Sequence, residues 1–209
     1  MALLDVPATK SALLALKQRL SFAEEGYSLL DQKRELLLQE LTRTTGRAAL
    51  ARKAAREQLA RAFAELRGAE LAGGSEALAR AALGARPGFK IEIKDRRLMG
   101  IRLPEASAVT ETPVAAFGPG GTPPGAAAAA RAFAAALPLL AVQAGLDTSV
   151  LRLARELKKT QRRCNALSKK VIPDSRETMR YLGGALDERE RESFVILRMV
   201  RNRLRAARA

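Results

Sequence analysis

Between Ala8 and Gly68 the chain contains no proline, and glycine interrupts it only at Gly26 and Gly46. The residues between are mostly Ala, Leu, Glu, Gln, Lys and Arg, which lose little side-chain freedom in a helix. Such a stretch, with no stop signal, predicts one very long helix. Its apolar residues recur in alternating steps of three and four: Leu13, Leu16, Leu20, Ala23, Tyr27, Leu30, then Leu37, Leu41, Thr44, Ala48, Ala51 and Ala55. That spacing is a coiled-coil seam, one stripe to be buried against a second helix. Arg34 and Thr44 fall on the stripe. A polar residue there fixes register or meets a third partner at some cost in stability, or is a solvated defect. At 1.5 Å per residue the helix would be roughly 90 Å long, too long for a compact domain of this size to contain.

A second long helix is expected to begin between Pro124 and Arg131 and to run nearly to the C-terminus. Its seam reads Val150, Leu153, Leu157, Thr160, Cys164, Leu167 and Val171, and resumes after a phase shift at Leu182, Leu186, Ile196 and Val200. Pro173 lies at the shift, and Pro138 near the start. Each removes a backbone hydrogen bond and is expected to kink or break the helix.

Between the helices the period changes. Phe89-Lys-Ile-Glu-Ile-Lys alternates apolar and charged residues, and Leu98-Met-Gly-Ile-Arg-Leu-Pro follows after Asp95-Arg-Arg, which together predict a β-hairpin. Ala108-Val-Thr-Glu-Thr-Pro-Val is a weaker third strand, and Phe117-Gly-Pro-Gly-Gly-Thr-Pro-Pro-Gly is a loop. The expected fold is therefore mainly α: a long antiparallel two-helix coiled coil with a small insertion containing a β-hairpin. The segments are residues 1–72, 73–125 and 126–209.

Composition narrows the chemistry. The chain has no histidine and one cysteine, Cys164, which excludes histidine-based acid/base catalysis, an intrachain disulfide and a CxxC zinc site. No GxxxxGK[ST] phosphate loop is present, because the glycine-rich loop lacks the lysine. No catalytic residue, cofactor or metal is expected. The N-terminus does not read as a signal peptide, and the Ala-rich run 126–143 is broken by Arg131 and Pro138, so a cytosolic chain without membrane insertion is expected. The formal charge is +15, and 17 basic against 7 acidic side chains fall within residues 152–209. Phosphate neutralisation by such a chain would give a nucleic-acid-binding protein. Against that, only 4% of residues are aromatic and much of the basic charge is interleaved with acids.

One run of residues is more specific. Lys158-Lys-Thr-Gln-Arg-Arg-Cys-Asn-Ala-Leu-Ser-Lys-Lys-Val-Ile-Pro173 resembles the KKT-x-RR-x-NALE-x-VIP signature of the D subunits, the central-stalk axles of vacuolar and archaeal type (V/A-type) rotary ATPases. Arg180-Tyr-Leu and Glu188-Arg-Glu-Arg-Glu-Ser-Phe resemble that family's following blocks. So do Val6-Pro-Ala-Thr-Lys-Ser, the segment from Ala23 to Glu35, and Leu98-Met-Gly-Ile-Arg-Leu-Pro. Departures are Ser168, where Glu is common, and Pro138, Gly145 and the alanines of 126–136, where the family has a more charged helix. The axle-like protein of flagellar export ATPases shares the two-helix form but not the hairpin or the Asn-Ala-Leu and Val-Ile-Pro elements.

The resemblance implies a non-catalytic rotor shaft that carries torque between a hexamer of catalytic and nucleotide-binding subunits and a membrane ion-translocating ring. Its implied partners are those hexamer subunits, the small accessory F subunit of the central stalk and a funnel-shaped subunit that links to the ring. No nucleic acid is expected, and the location is cytoplasmic and peripheral to the membrane. Under this reading Lys158, Lys159, Arg162 and Arg163 (with Lys169 and Lys170) are candidate partner contacts, although a solvated helix face would look the same. Glu188, Arg189, Glu190, Arg191 and Glu192 either face the hexamer or form intrahelical pairs. Arg198, Arg201, Arg203 and Arg205 are further contact candidates, or complement the helix dipole. Cys164 on the seam is a small buried hydrophobe before it is a redox switch. The apolar side of the hairpin, with Ile91, Ile93, Ile101 and Leu103, packs on the coiled coil or engages an accessory subunit.

Overall fold

A computed structural model describes residues 5–84, 88–110 and 122–206. The elements run α1 (Lys10–Gly73), α2 (Ser75–Gly84), β1 (Phe89–Leu98), β2 (Ile101–Thr110), α3 (Ala126–Ala166), a π-helical turn (Leu167–Val171) and α4 (Ile172–Ala206). Two long helical stretches thus flank a small antiparallel hairpin. Helix α1 is capped by Thr9, whose Oγ1 accepts from the Ala12 amide at 3.2 Å. It ends at Gly74, whose φ of +79° a side chain would resist, and the short helix α2, which the sequence pattern does not show, follows. The chain divides into two compact units, residues 1–35 with 158–209 and residues 36–157.

In the unit 36–157, α1 and α3 run antiparallel, since partners rising along α1 fall along α3. Arg52 binds Asp147 at 3.0 Å, Phe63 meets Phe133 edge to face at 5.3 Å, and Gly125 at the start of α3 lies against Ala69; Gln58 Nε2 also donates to the Ala132 carbonyl at 3.4 Å. The interface here is built of alanine: Ala48, Ala55, Ala62 and Ala69 on α1, and Ala126, Ala129 and Ala136 on α3, are all buried. Small side chains let two helix backbones come close, which accounts for the alanine run. Helix α3 continues through Pro138 rather than breaking there. By composition the helical stretch 126–206 includes an 18-residue window apolar enough to cross a membrane, with a mean hydropathy of 1.5. In this structure part of that apolar surface faces α1.

The hairpin packs on the same helix pair. Leu103 joins Leu37 and Leu153 in a buried cluster, with Leu41, Leu98, Ile101 and Leu157 around it. Its turn differs from the sequence expectation. Asp95-Arg-Arg does not separate two strands; β1 runs through it to Leu98, and the reversal falls at Met99 and Gly100, with φ of +48° and +84°. Positive φ at both central positions suits the right-handed twist of a two-residue hairpin, and Met-Gly lacks the asparagine that usually announces it. Ala108–Thr110 of the third candidate strand belongs to β2, and its remainder lies outside the described residues.

Side chains of α3 hold β2 by its backbone. Ser149 Oγ donates to the Pro104 carbonyl at 3.2 Å, and Arg152 Nη1 donates to the Arg102 carbonyl at 2.7 Å. A Cβ added to Gly145 would come within 2.9 Å of the Ala106 nitrogen and 3.2 Å of the Pro104 oxygen. Glycine at 145 is therefore what lets the strand edge lie on the helix. Pro104 suits that edge because it has no amide hydrogen to offer to the ladder.

In the unit 1–35 with 158–209, α1 and α4 also run antiparallel. Lys10 binds Glu190 at 2.5 Å, the Arg189 guanidinium donates to the Ala8 carbonyl at 2.8 Å, and Arg176 donates to Glu24 at 2.6 Å. Leu16, Leu20, Cys164, Ile172 and Leu182 are buried, together with Thr160, Asp174, Ser175 and Thr178. The seam position Arg34 stays on its own helix, 2.7 Å from Asp31 Oδ1 but off the hydrogen-bonding direction, so the contact is an ion pair alone. The expected phase shift is made by the π-helical turn, in which the Ile172 amide donates to the Leu167 carbonyl five residues back. One extra residue in the turn moves burial from Val171, 42% exposed, to Ile172, 8% exposed. Pro173 follows directly, where the widened turn gives its ring room beside the preceding carbonyls.

Candidate partner-binding surface

The heptad pattern predicts that the apolar stripe of the last helix continues through Ile196 and Val200. Instead, every described residue of α4 from Asp187 onward is exposed. Ile196 is 59% and Val200 48% exposed, so the seam ends before them. The reason is visible at the start of α1: the contacts of Lys10 and Ala8 are with Glu190 and Arg189, and no described element of the unit lies alongside α4 beyond them. Residues 191–206 form a single helix of about 24 Å.

That helix is not built for water. Phe194, Val195, Ile196, Leu197, Met199, Val200 and Leu204 lie on all its sides, 48–74% exposed. Between them stand Arg198, Arg201, Arg203 and Arg205, with no acidic residue after Glu192. A lone helix of this length is marginal in water unless it is packed, and large exposed apolar surface marks a site for a partner. The arginines offer bidentate contacts to carboxylates.

The acidic-basic block before it is divided in its use. Arg191 pairs with Glu188 one turn earlier at 3.3 Å, whereas Arg189 and Glu190 hold the start of α1. The hydrogen bond and charge of Glu190 raise the Lys10 ammonium above its ordinary value, slightly opposed by burial. Lys158, Lys159, Arg162 and Arg163 are exposed on α3, with no ion pair among the described residues. Among the seam residues, Leu16, Leu20, Leu37, Leu153, Cys164 and Leu182 are buried. Tyr27, Leu30, Leu41, Leu157, Leu167 and Leu186 are half-buried.

Sequence reasoning misses Glu40, which ties the hairpin to α1. Its carboxylate accepts from Arg96 of β1 at 2.5 Å and from Arg43 at 3.0 Å. Burial pushes this carboxyl up, and the two guanidinium groups outweigh it, so the net shift is downward from its ordinary value. Nothing in the local pattern distinguishes Glu40 from other helix-surface acids, because its main partner is 56 residues away. Among the described residues no three His, Cys, Asp or Glu side chains are grouped to hold a metal ion.

A family model described as the D subunit of ATP synthase matches residues 12–202. The chain is 35% identical to the A-type ATP synthase D subunit of Thermococcus sibiricus, over 98% of this chain and 97% of that one. It is 33% identical to the A-type D subunit of Pyrococcus furiosus, with the same coverage. To the V-type ATP synthase D subunit 2 of Treponema pallidum it is 35% identical over 93% of each chain. Two helical stretches around a hairpin, with similarity over nearly the full length, make this chain a member of the D-subunit family of A-type and V-type ATP synthases.

Proposed function

We propose that this chain is the central rotor shaft of its ATP synthase, carrying torque between the catalytic hexamer and the membrane ion-translocating ring without catalysing a reaction itself. The observation that carries the reading is the helix 191–206, exposed on every side and both apolar and basic. A hexamer whose centre is lined by apolar and acidic residues would cover that surface, which the described residues of the chain leave exposed. Rotation of a shaft whose faces differ would present each catalytic site with different contacts in turn. Differential binding to open and closed states then couples shaft angle to nucleotide affinity, and the coupling works in both directions. The other expected partners are the accessory F subunit of the stalk and the funnel-shaped subunit, with the complex cytoplasmic and peripheral to the membrane.

The test is reconstitution with the catalytic and nucleotide-binding subunits, using the full chain and a chain ending at Glu190. Among the described residues the side chains of the removed helix reach the rest of the protein only along the same helix, Arg191 to Glu188 and Ser193 Oγ to the Glu190 carbonyl, so melting is expected to change by less than a few degrees. Coupled ATP turnover is expected to fall at least tenfold. Equal turnover with the shortened chain would overturn the proposal. So would a full chain that ignores these subunits and instead retains nucleic acid until salt is raised.

A further inference from the structure

The hairpin has two backbone edges, and the described residues cover only one. Ser149 and Arg152 occupy the Pro104 and Arg102 carbonyls, and Gly145 lies against the Ala106 amide, so even-numbered residues of β2 turn their backbone groups outward to α3. Residues directly opposite in an antiparallel pair share that orientation. The register pairs Arg102 with Arg97, Pro104 with Asp95, Ala106 with Ile93, Ala108 with Ile91 and Thr110 with Phe89. The amides and carbonyls of Phe89, Ile91, Ile93, Asp95 and Arg97 therefore point away from β2. The sheet has only two strands among the described residues, and none of those residues forms a third strand to take them.

The side chains along this edge fit the same description. Phe89, Ile91 and Ile93 lie on one face, 43%, 54% and 68% exposed. On the other face are Lys90, whose nearest carboxylate is Glu92 at 4.0 Å, and Lys94, which has no ion pair among the described residues. A ten-residue edge strand with an exposed apolar face is a template for another strand. Extended segments bind such edges through the main chain and gain specificity from alternate side chains.

We infer that the free edge of β1 is a docking edge for an extended segment of a partner subunit, added as a third strand. The segment has apolar residues alternating with acidic ones, the first set over Ile91 and Ile93 and the second beside Lys90 and Lys94. The inference rests on the reading of this chain as part of a multi-subunit machine. It also explains why α3 grips β2 through its backbone: the hairpin is held by one edge and offers the other.

Amide hydrogen exchange tests the inference on the full chain, alone and in the assembled complex. In the free chain the inward amides of Lys90, Glu92 and Lys94 are expected to be protected and those of Ile91 and Ile93 open. In the complex, Ile91 and Ile93 are expected to slow at least tenfold. Ile93→Pro removes an outward amide that the ladder does not use, so the inward protection of the free chain survives while the new protection in the complex is lost. Lys90→Glu combined with Lys94→Glu leaves the backbone untouched and is expected to weaken that protection severalfold, which keeps the test decisive should the proline disturb the hairpin. An assembled complex with open Ile91 and Ile93 amides would overturn the inference, as would protection produced by self-association of the chain alone. Failure of the chain to assemble at all is a different result, and would count against the rotor reading as well.

Discussion

Gly145→Ala should destabilise the protein, although alanine is the better helix former. In the interior of a helix the exchange of glycine for alanine is worth about 0.8–1 kcal/mol in favour of alanine. At position 145 the new methyl group would stand 2.9 Å from the Ala106 nitrogen, 3.2 Å from the Pro104 oxygen and 3.3 Å from the Ala106 Cβ. The first two are backbone atoms of β2, which cannot rotate aside, so the strand itself must move. Overpacking of this kind costs about 1–3 kcal/mol. The difference leaves a net loss of about 1 kcal/mol, with the damage centred on the contact between β2 and α3. Gly46, in the same unit, is the internal control: no atom lies within 4 Å of its added Cβ, so Gly46→Ala should stabilise by about 1 kcal/mol. Urea denaturation followed by helicity gives both values, and hydrogen exchange at Arg102 to Ala106 locates the first. Equal stabilisation by the two alanines would show that β2 does not lie on α3 as described.

Other perturbations probe separate parts of the structure. Leu153→Ala, at a fully buried position beside Leu37 and Leu103, is expected to cost about 2–5 kcal/mol in the same denaturation assay; a loss below about 1 kcal/mol would place the cluster elsewhere. Glu40 is held below its ordinary value of 4.5, so its contribution is present above that pH and disappears as pH falls through the lower native value. Glu40→Gln should therefore cost about 1 kcal/mol at neutral pH, given the partly exposed arginines, with the difference from the parent shrinking below about pH 4; a pH-independent difference would refute the ion-pair account. Cys164, 1% exposed, should react with a disulfide reagent only as fast as the helices open, and labelling at the rate of a free thiol would contradict its burial.

The helices are legible because their signals are local. The proline-free stretch marks α1 to within a few residues, and the period-two alternation at Phe89 marks β1. The hairpin turn is not legible, because Met99-Gly100 adopts positive φ without the usual asparagine and Leu98 through Pro104 reads equally well as one strand. The heptad count anticipates a phase shift near Pro173, but not that Val171 yields its place to Ile172, since a π-helical turn leaves no compositional mark. Gly145 and the alanine run read from sequence as departures from a charged helix. They become intelligible only when β2 and α1 lie against them. The C-terminal stripe ends earlier than its periodicity for a related reason: a heptad pattern shows that a helix has an apolar face, not whether the same chain supplies anything to cover it. Ile196 and Val200 repeat correctly and face no partner among the described residues of the chain.

That this chain turns inside its partners is tested most directly by fixing the reconstituted hexamer to a surface, attaching a bead through biotin at a Lys169→Cys variant, and supplying ATP. The predicted result is unidirectional rotation of the bead, which stops when the chain is shortened to Glu190. A bead that stays at one orientation while the hexamer hydrolyses ATP at its full rate would contradict it.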